Sequence, residues 1–374
     1  MQQILKADNS YEQLDEYFKA SGAKKVFLVC GSSINGLALG EYFNGIENRL
    51  GIKVVRFSDF SPNPLYESVA EGIRIFNAED CRTIVAVGGG SAMDVAKCIK
   101  LFSNMDHTRN YLEQEIVPND IDLIAVPTTA GTGSEATRFA VIYFNGEKQS
   151  ISDYNCIPSA VVMDPSALET LPDYQRKATM LDALCHATES FWSVNSTNES
   201  QEYSKEAIEL ILENIPGYIA NTPKDNENML KAANIAGKAI NITQTTAGHA
   251  MCYKLTTLYG IAHGHAAALC VSKLFPYMVK HMDDCIDTRG TDYPKETFAR
   301  LAEAYGCSDS MEAAVKFNEL LAGLKLDVPR ATAEEYEILK NSVNPVRLKN
   351  NPVELDINTI DYLYHQILNN ENGI

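Results

Sequence analysis

No stretch of this 374-residue chain comes near the roughly 18 uninterrupted apolar residues of a membrane-spanning helix; residues 266–271 come nearest. The first 19 residues are broken by Lys6, Asp8, Glu12, Asp15 and Glu16, where a secretory signal needs a continuous apolar segment. Neither membrane insertion nor export is expected. Cations are also scarce: 32 Lys plus Arg stand against 49 Asp plus Glu, a formal charge of −17, so the surface repels nucleic acid and anionic lipid. Any anionic ligand must be held by a local positive site. The nine cysteines are scattered, odd in number and without a C-x-x-C pair or framework spacing, so no bridge is predicted and reduced thiols in a cytoplasmic protein are expected. Low-complexity tracts and internal repeats are absent too.

What is present is enough apolar residue, 45% of the chain, for two domains with substantial cores. Residues 26–30, 54–57, 83–87 and 123–126 are compact apolar runs, three of them ending in Gly or Pro, as buried parallel strands do. Residues 36–50, 65–77 and 92–102 between them have helical spacing, so the pattern is βαβ. Asn145-Gly146 separates two strand-like runs and predicts a hairpin, and a last strand runs from 160 to Pro165. Beyond residue 166 long amphipathic stretches replace strands, and the second domain is expected to be all-helical. The predicted boundaries are 1–165 and 166–374.

Two loops attract attention. Gly88-Gly89-Gly90-Ser91 follows the strand TIVAV and leads into a helix carrying Asp94, so backbone N–H groups and a helix N-terminus can approach a diphosphate closely. It is not a G-x-G-x-x-G fingerprint, and Ser91 to Asp94 also fits an ordinary capping box. After the strand LIAV, residues 127–135 (PTTAGTGSE) hold four hydroxyls, Thr128, Thr129, Thr132 and Ser134, with two glycines, as suits a ligand crevice at the carboxyl edge of an open sheet.

Asp182 and His186 stand at i and i+4 on one predicted helical face, a pair that alone is more often an ion pair than a metal site. His249 and His263 lie in an apolar, small-residue region, 247–268, where an unpaired imidazole would be costly. One Asp with three His is a mixed oxygen and nitrogen set that suits Fe²⁺, Zn²⁺ or Co²⁺ better than Mg²⁺ or Ca²⁺. His265 is either a group contacting the substrate or the metal ligands, or a histidine bonded to backbone. His107, His281 and His365 read as surface residues.

The segments GGGSAMDVAK (88–97), PTTAGTGSEAT (127–137), MDPSALETLP (163–172), ATMLDALCHATE (178–189), GHA (248–250) and HGHA (263–266) resemble the iron-dependent, group III alcohol dehydrogenases. They occur in family order over most of the chain. The resemblance implies a Rossmann-like, mostly parallel N-terminal domain and an all-α C-terminal metal-binding domain, an architecture shared with dehydroquinate synthase, in a homodimer. It implies that Gly88, Gly89, Gly90, Ser91 and Asp94 hold the diphosphate of NAD(H) or NADP(H), with Thr128, Thr129, Thr132 and Ser134 bordering the adenine, ribose and nicotinamide. Asp182, His186, His249 and His263 would bind Fe²⁺, or alternatively Zn²⁺. The implied reaction is hydride transfer between a nicotinamide and an aldehyde or ketone, with the metal as Lewis acid.

Two departures from the family pattern carry information. Many members have an acidic residue after the first strand of the dinucleotide domain; here Gly31-Ser32-Ser33 leaves space and donors for a 2′-phosphate, and NADPH is expected to be accepted, with the preference between NADPH and NADH left open. Tyr253 stands where many members have a histidine, which makes Tyr253 and His265 the candidates for proton relay. Residues 249–270 and 344–355 are most similar to the branch that reduces phosphonoacetaldehyde to 2-hydroxyethylphosphonate, for which Arg138, Lys254 and Arg347 are candidate cations. The alternatives are a general or glycerol-type alcohol dehydrogenase and, from another class, a metal-dependent lyase or cyclase of the dehydroquinate synthase type.

Overall fold

The apolar runs form one parallel sheet. A computed structural model of the chain describes residues 2–7 and 10–368. Its strands are β1 (Gln3–Lys6), β2 (Lys25–Cys30), β3 (Lys53–Phe57), β4 (Thr83–Gly88), β5 (Asp122–Pro127), β6 (Phe139–Phe144), β7 (Glu147–Ser152) and β8 (Ala160–Met163). Six of them pair in parallel in the order β1-β8-β5-β4-β2-β3, while β6 and β7 form a separate antiparallel hairpin. The Asn145-Gly146 turn has positive φ at both residues (52° and 78°), the geometry that makes Asn-Gly the favoured two-residue hairpin loop. The edge strand β1 has only one buried residue in four, too little patterning to stand out in the sequence.

Side chains alternate across the sheet. Phe27 and Val29 of β2 join one buried cluster with Phe57, Phe76 and Phe102, whereas Val26, Leu28 and Cys30 join another with Leu14, Phe18, Phe43 and Ile46. The covering helices are α1 (Glu12–Ser21), α2 (Ala38–Leu50), α3 (Tyr66–Ala78) and α4 (Gly90–Phe102). Burying both faces is what makes these strands read as continuous apolar runs. Each fully buried Leu, Ile or Phe contributes about 1.5–3 kcal/mol.

The remaining helices are α5 (Asp173–Trp192), α6 (Asn198–Ile219), α7 (Pro223–Thr243), α8 (Ala247–Tyr259), α9 (His263–Lys280), α10 (Asp292–Ala304), α11 (Ser310–Gly323), α12 (Ala333–Ser342), α13 (Pro345–Leu348) and α14 (Ile357–Leu368). By compactness the chain divides into one unit of Met1–Leu171 with Asn221–Asn234, and a second of Pro172–Ala220 with Ile235–Ile374. The chain therefore passes between the units at 171/172, at 220/221 and, inside α7, at 234/235. In the second unit every residue of α5 from Met180 to Trp192 is buried, as expected of a helix that other helices surround. Trp192 stacks on Phe298 at 5.6 Å and meets Phe275 edge-on at 5.2 Å. The apolar region 247–268 is split between α8 and α9, with Gly260 in the left-handed conformation ending α8. The nine cysteines carry free thiols. Among the described residues no helix is long and apolar enough to cross a membrane.

Candidate functional site

In the first unit the Gly31-Ser32-Ser33 turn and the two loops at 88–91 and 127–135 leave the carboxyl ends of β2, β4 and β5, which are adjacent strands paired β2 with β4 and β4 with β5. The chain turns from β2 to β3 on one side and to β4 on the other, so these loops lie at a switch in strand order, where open sheets bind ligands. Gly88, Gly89 and Gly90 allow the two inner loops to touch. A Cβ on Gly89 would lie 3.3 Å from Thr129 Oγ1, one on Gly90 3.2 Å from Thr132 Cγ2, and one on Gly88 2.6 Å from Ala92 Cβ. The backbone N–H of Thr128 donates to Gly88 O at 3.0 Å.

The capping-box reading of Ser91 and Asp94 does not hold. Gly89 is the N-cap of α4 and receives no side-chain cap, and Ser91 lies inside the helix, so the first-turn N–H groups are left for a ligand. Ser134 Oγ donates to Asp94 Oδ1 at 3.4 Å, and burial pushes the Asp94 carboxyl up to about 6. Lys97, fully buried on α4, is committed to structure: its Nζ donates to Thr137 O (2.7 Å), Phe139 O (2.7 Å) and Thr137 Oγ1 (3.2 Å).

Beside the first loop the side chain of Arg56, on β3, donates to Asn35 Oδ1 (3.0 Å) and to Gly31 O (3.4 Å), and among the described residues, chain neighbours aside, nothing lies within 4 Å of a Cβ built on Gly31. Next to Gly31, Ser32 begins a short 3₁₀ turn, Ser32–Gly36. Arg56 escaped the sequence reading because pairing of β2 with β3 is needed to bring it there. Arg138 sits against aromatic rings, its guanidinium carbon 4.6 Å from the Phe139 ring centroid and 4.9 Å from that of Tyr154.

In the second unit α5 carries Asp182, His186 and Glu189 at i, i+4 and i+7, all buried. His249 lies in the first turn of α8, and His263 is the first residue of α9. Close packing at Gly264 brings them together: a Cβ there would lie 2.1 Å from Ala178 O and 2.5 Å from Asp182 Cβ, so only glycine lets α9 press onto α5 beside Asp182. One ligand atom from each of Asp182, His249 and His263 lies within 4.8 Å of the others. Asp182 Oδ1 and His249 Nε2, 3.5 Å apart, are both buried and make no hydrogen bond among the described residues. Two inward-facing buried polar atoms without a hydrogen-bond partner are the arrangement a cation completes, displacing the imidazole proton as it binds, and the imidazole and carboxylate set fits Fe²⁺ or Zn²⁺. His186 falls outside that group of three, with Nε2 3.9 Å from Asp182 Oδ1 and its ring stacked on His249 at 4.5 Å.

Burial opposes charge on Asp182, but the three imidazoles outweigh it and hold the carboxyl well below its usual range. On His249 burial is likewise overridden, here by the carboxylates of Glu189 and Asp182, and the imidazole is pushed up to about 9. Glu189 was not recognised from the sequence, although its i+7 position on the Asp182 face was there to be read. It contacts His249 Nδ1 through Oε2 and accepts at Oε1 from Thr246 Oγ1 (2.6 Å) and Gly248 N (2.8 Å).

The two proton-relay candidates part company. The ring of Tyr253 stacks on His263 at 5.4 Å, and its hydroxyl accepts from Arg347 Nη1 at 3.2 Å. Burial raises the Tyr253 phenol, which keeps its proton. His265 lies apart from the three-residue group, with Nδ1 3.2 Å from the hydroxyl of Tyr174, which in turn accepts the N–H of Ala262 at 2.8 Å. Burial lowers the pKa of His265 and favours the neutral ring. Lys254, next to Tyr253 on α8, forms no salt bridge among the described residues.

Comparison with known proteins gives two family matches: iron-containing alcohol dehydrogenase over residues 2–165, and the C-terminal domain of the Fe-containing alcohol dehydrogenase family over 177–368. The chain is 32% identical over 305 residues to phosphonoacetaldehyde reductase of Streptomyces viridochromogenes, covering 78% of this chain and 77% of that one. It is 30% identical to aldehyde-alcohol dehydrogenase 2 of Entamoeba histolytica over 76% of this chain, and spans about a third (33%) of that protein's length. Among solved structures it is similar to sulfoacetaldehyde reductase from Bifidobacterium kashiwanohense in complex with NAD⁺, with a TM-score of 0.87 and 27% identity, covering 99% and 98% of the two chains.

Proposed function

This chain belongs to the iron-containing alcohol dehydrogenase family, and we propose that it reduces an aldehyde bearing an anionic head group, phosphonoacetaldehyde foremost, to the primary alcohol with a nicotinamide cofactor. Asp182, His186, His249 and His263 would hold Fe²⁺ or Zn²⁺, which supplies Lewis-acid polarisation of a carbonyl. The cofactor diphosphate would rest on the N–H groups at Gly88–Ser91, with Asp94, Thr128, Thr129, Thr132 and Ser134 around it.

One observation carries the substrate class. Arg347 donates to the hydroxyl of Tyr253, whose ring stacks on His263, so a guanidinium stands two side chains from the proposed metal ligands. In a chain of charge −17 a cation held there suits an oxyanion of the substrate. The proteins of Streptomyces and Bifidobacterium reported above are named for acetaldehydes carrying a phosphorus or a sulfur oxyacid group. Tyr253, protonated and adjacent, is the group we assign to deliver the proton. Arg138, set between Phe139 and Tyr154, is left out of the substrate site.

Arg56 beside Gly31 supports acceptance of NADPH, since a guanidinium at the end of β3 can pair with a 2′-phosphate. Initial rates with NADPH and NADH on phosphonoacetaldehyde, sulfoacetaldehyde, butanal and lactaldehyde test the reading. The expected result is a kcat/KM at least about tenfold higher for the anionic aldehydes, a difference of about 1.4 kcal/mol in transition-state binding. Comparable values on butanal would identify a general alcohol dehydrogenase.

A further inference from the structure

We propose that Glu189 is the positioning residue of the metal site: it fixes the tautomer of His249 so that Nε2 faces Asp182 as a bare lone pair, and it completes the charge balance of the bound ion. The inference rests on the reading of Asp182, His249 and His263 as metal ligands.

Three observations carry it. Glu189 is fully buried, and its carboxylate is spent on one short segment, accepting from Thr246 Oγ1 at 2.6 Å, Gly248 N at 2.8 Å and His249 N at 3.3 Å, with Oε2 against His249 Nδ1. The carboxylate thereby caps the N-terminus of α8, where an anion is favoured, and clamps the His249 ring in the same contact. With a metal bound, a neutral imidazole whose Nδ1–H is held by a carboxylate presents Nε2 without a proton. Among the described residues His249 Nε2 finds no hydrogen-bond partner, and it lies 3.5 Å from Asp182 Oδ1. The second observation is steric. A Cβ on Gly248 would lie 2.9 Å from Glu189 Oε1 and 2.6 Å from Val271 Cγ2, so the chain keeps a glycine where the carboxylate needs its N–H. The third is charge. A buried divalent cation with three neutral imidazoles and Asp182 alone would carry one uncompensated positive charge; Glu189, as a carboxylate, brings the sum to zero where solvent cannot.

The test is metal affinity and does not depend on turnover. Apo-protein is titrated with Zn²⁺ or Co²⁺ in competition with a chromophoric chelator. Glu189→Gln is expected to raise the metal Kd about 10–100-fold, the usual cost of losing a carboxylate behind a ligating histidine. Thr246→Val, which removes a donor to the same carboxylate and leaves the His249 contact in place, is expected to stay within about threefold of the parent. Equal affinity for Glu189→Gln and parent overturns the proposal, as does an equal loss in both variants, which would mark a merely structural cap. Should Glu189→Gln not fold, ¹⁵N-histidine labelling of the Zn²⁺-loaded parent decides: His249 protonated at Nδ1 is expected, and protonation at Nε2 overturns it. A parent that binds no metal overturns the underlying site reading, an outcome distinct from a parent and variant that bind equally.

Discussion

Tyr253 and Arg347, on α8 and α13, meet at 3.2 Å, hydroxyl to guanidinium, with the Tyr253 ring stacked on His263. The contact joins a cation, a protonated phenol and a metal-ligand candidate in three consecutive side chains, and it sets the first prediction. Arg347→Ala is expected to raise KM for phosphonoacetaldehyde about 10–100-fold, the worth of one charge-assisted hydrogen bond, while butanal changes by less than about threefold. Equal losses on both substrates would mean that Arg347 only supports Tyr253.

Arg56 bears on the cofactor. Its hydrogen bond to Gly31 O at 3.4 Å puts a guanidinium beside the Gly31-Ser32 turn. Arg56→Ala is expected to weaken NADPH about tenfold in a fluorescence titration while NADH is unchanged. A parallel loss for both cofactors would contradict a 2′-phosphate contact.

Gly264 is where α9 meets α5. A methyl there, 2.1 Å from Ala178 O, forces the helices apart, and overpacking of this kind costs about 1–3 kcal/mol. Because the displaced helix carries His263, Gly264→Ala is expected to lower both the denaturation midpoint and the metal content. A folded variant with full metal content would show that α9 can move without disturbing the site.

Asp94 predicts a pH dependence. Burial raises its carboxyl from 3.8 to about 6, so between these values the folded chain holds the proton more tightly than the unfolded chain. Its contribution to stability is therefore present below the unfolded value and lost as pH rises through about 6. Asp94→Asn is expected to raise the urea midpoint at neutral pH and to leave it unchanged near pH 4. The same offset at both pH values would contradict the assignment.

Much of this was legible in residue order. The parallel sheet follows from compact apolar runs ending in Gly or Pro, the hairpin from Asn145-Gly146, and the face of α5 from the spacing of Asp182 and His186. Two kinds of feature escaped. Weakly patterned elements such as β1, with one buried residue, leave no periodic trace. Contacts between distant segments leave none either: Arg56 reaches Gly31 only because β3 pairs with β2, and the partner of His265 is Tyr174, 91 positions away. Glu189 lies between these cases. Its place on the α5 face could be read from i+7 spacing, but its clamp on His249 depends on how α8 packs. The capping-box alternative at Ser91 could not be dismissed from residue order because that pattern is local, whereas the cap falls at Gly89, where the loop meets Thr129.

Catalysis as proposed requires Asp182, His186, His249 and His263 to hold a metal. Metal content and turnover of Asp182→Ala, measured side by side with the parent after loading with Fe²⁺ or Zn²⁺, test it most directly. The variant is expected to bind NADPH as the parent does but to retain neither metal nor turnover; undiminished turnover in Asp182→Ala would overturn the metal assignment.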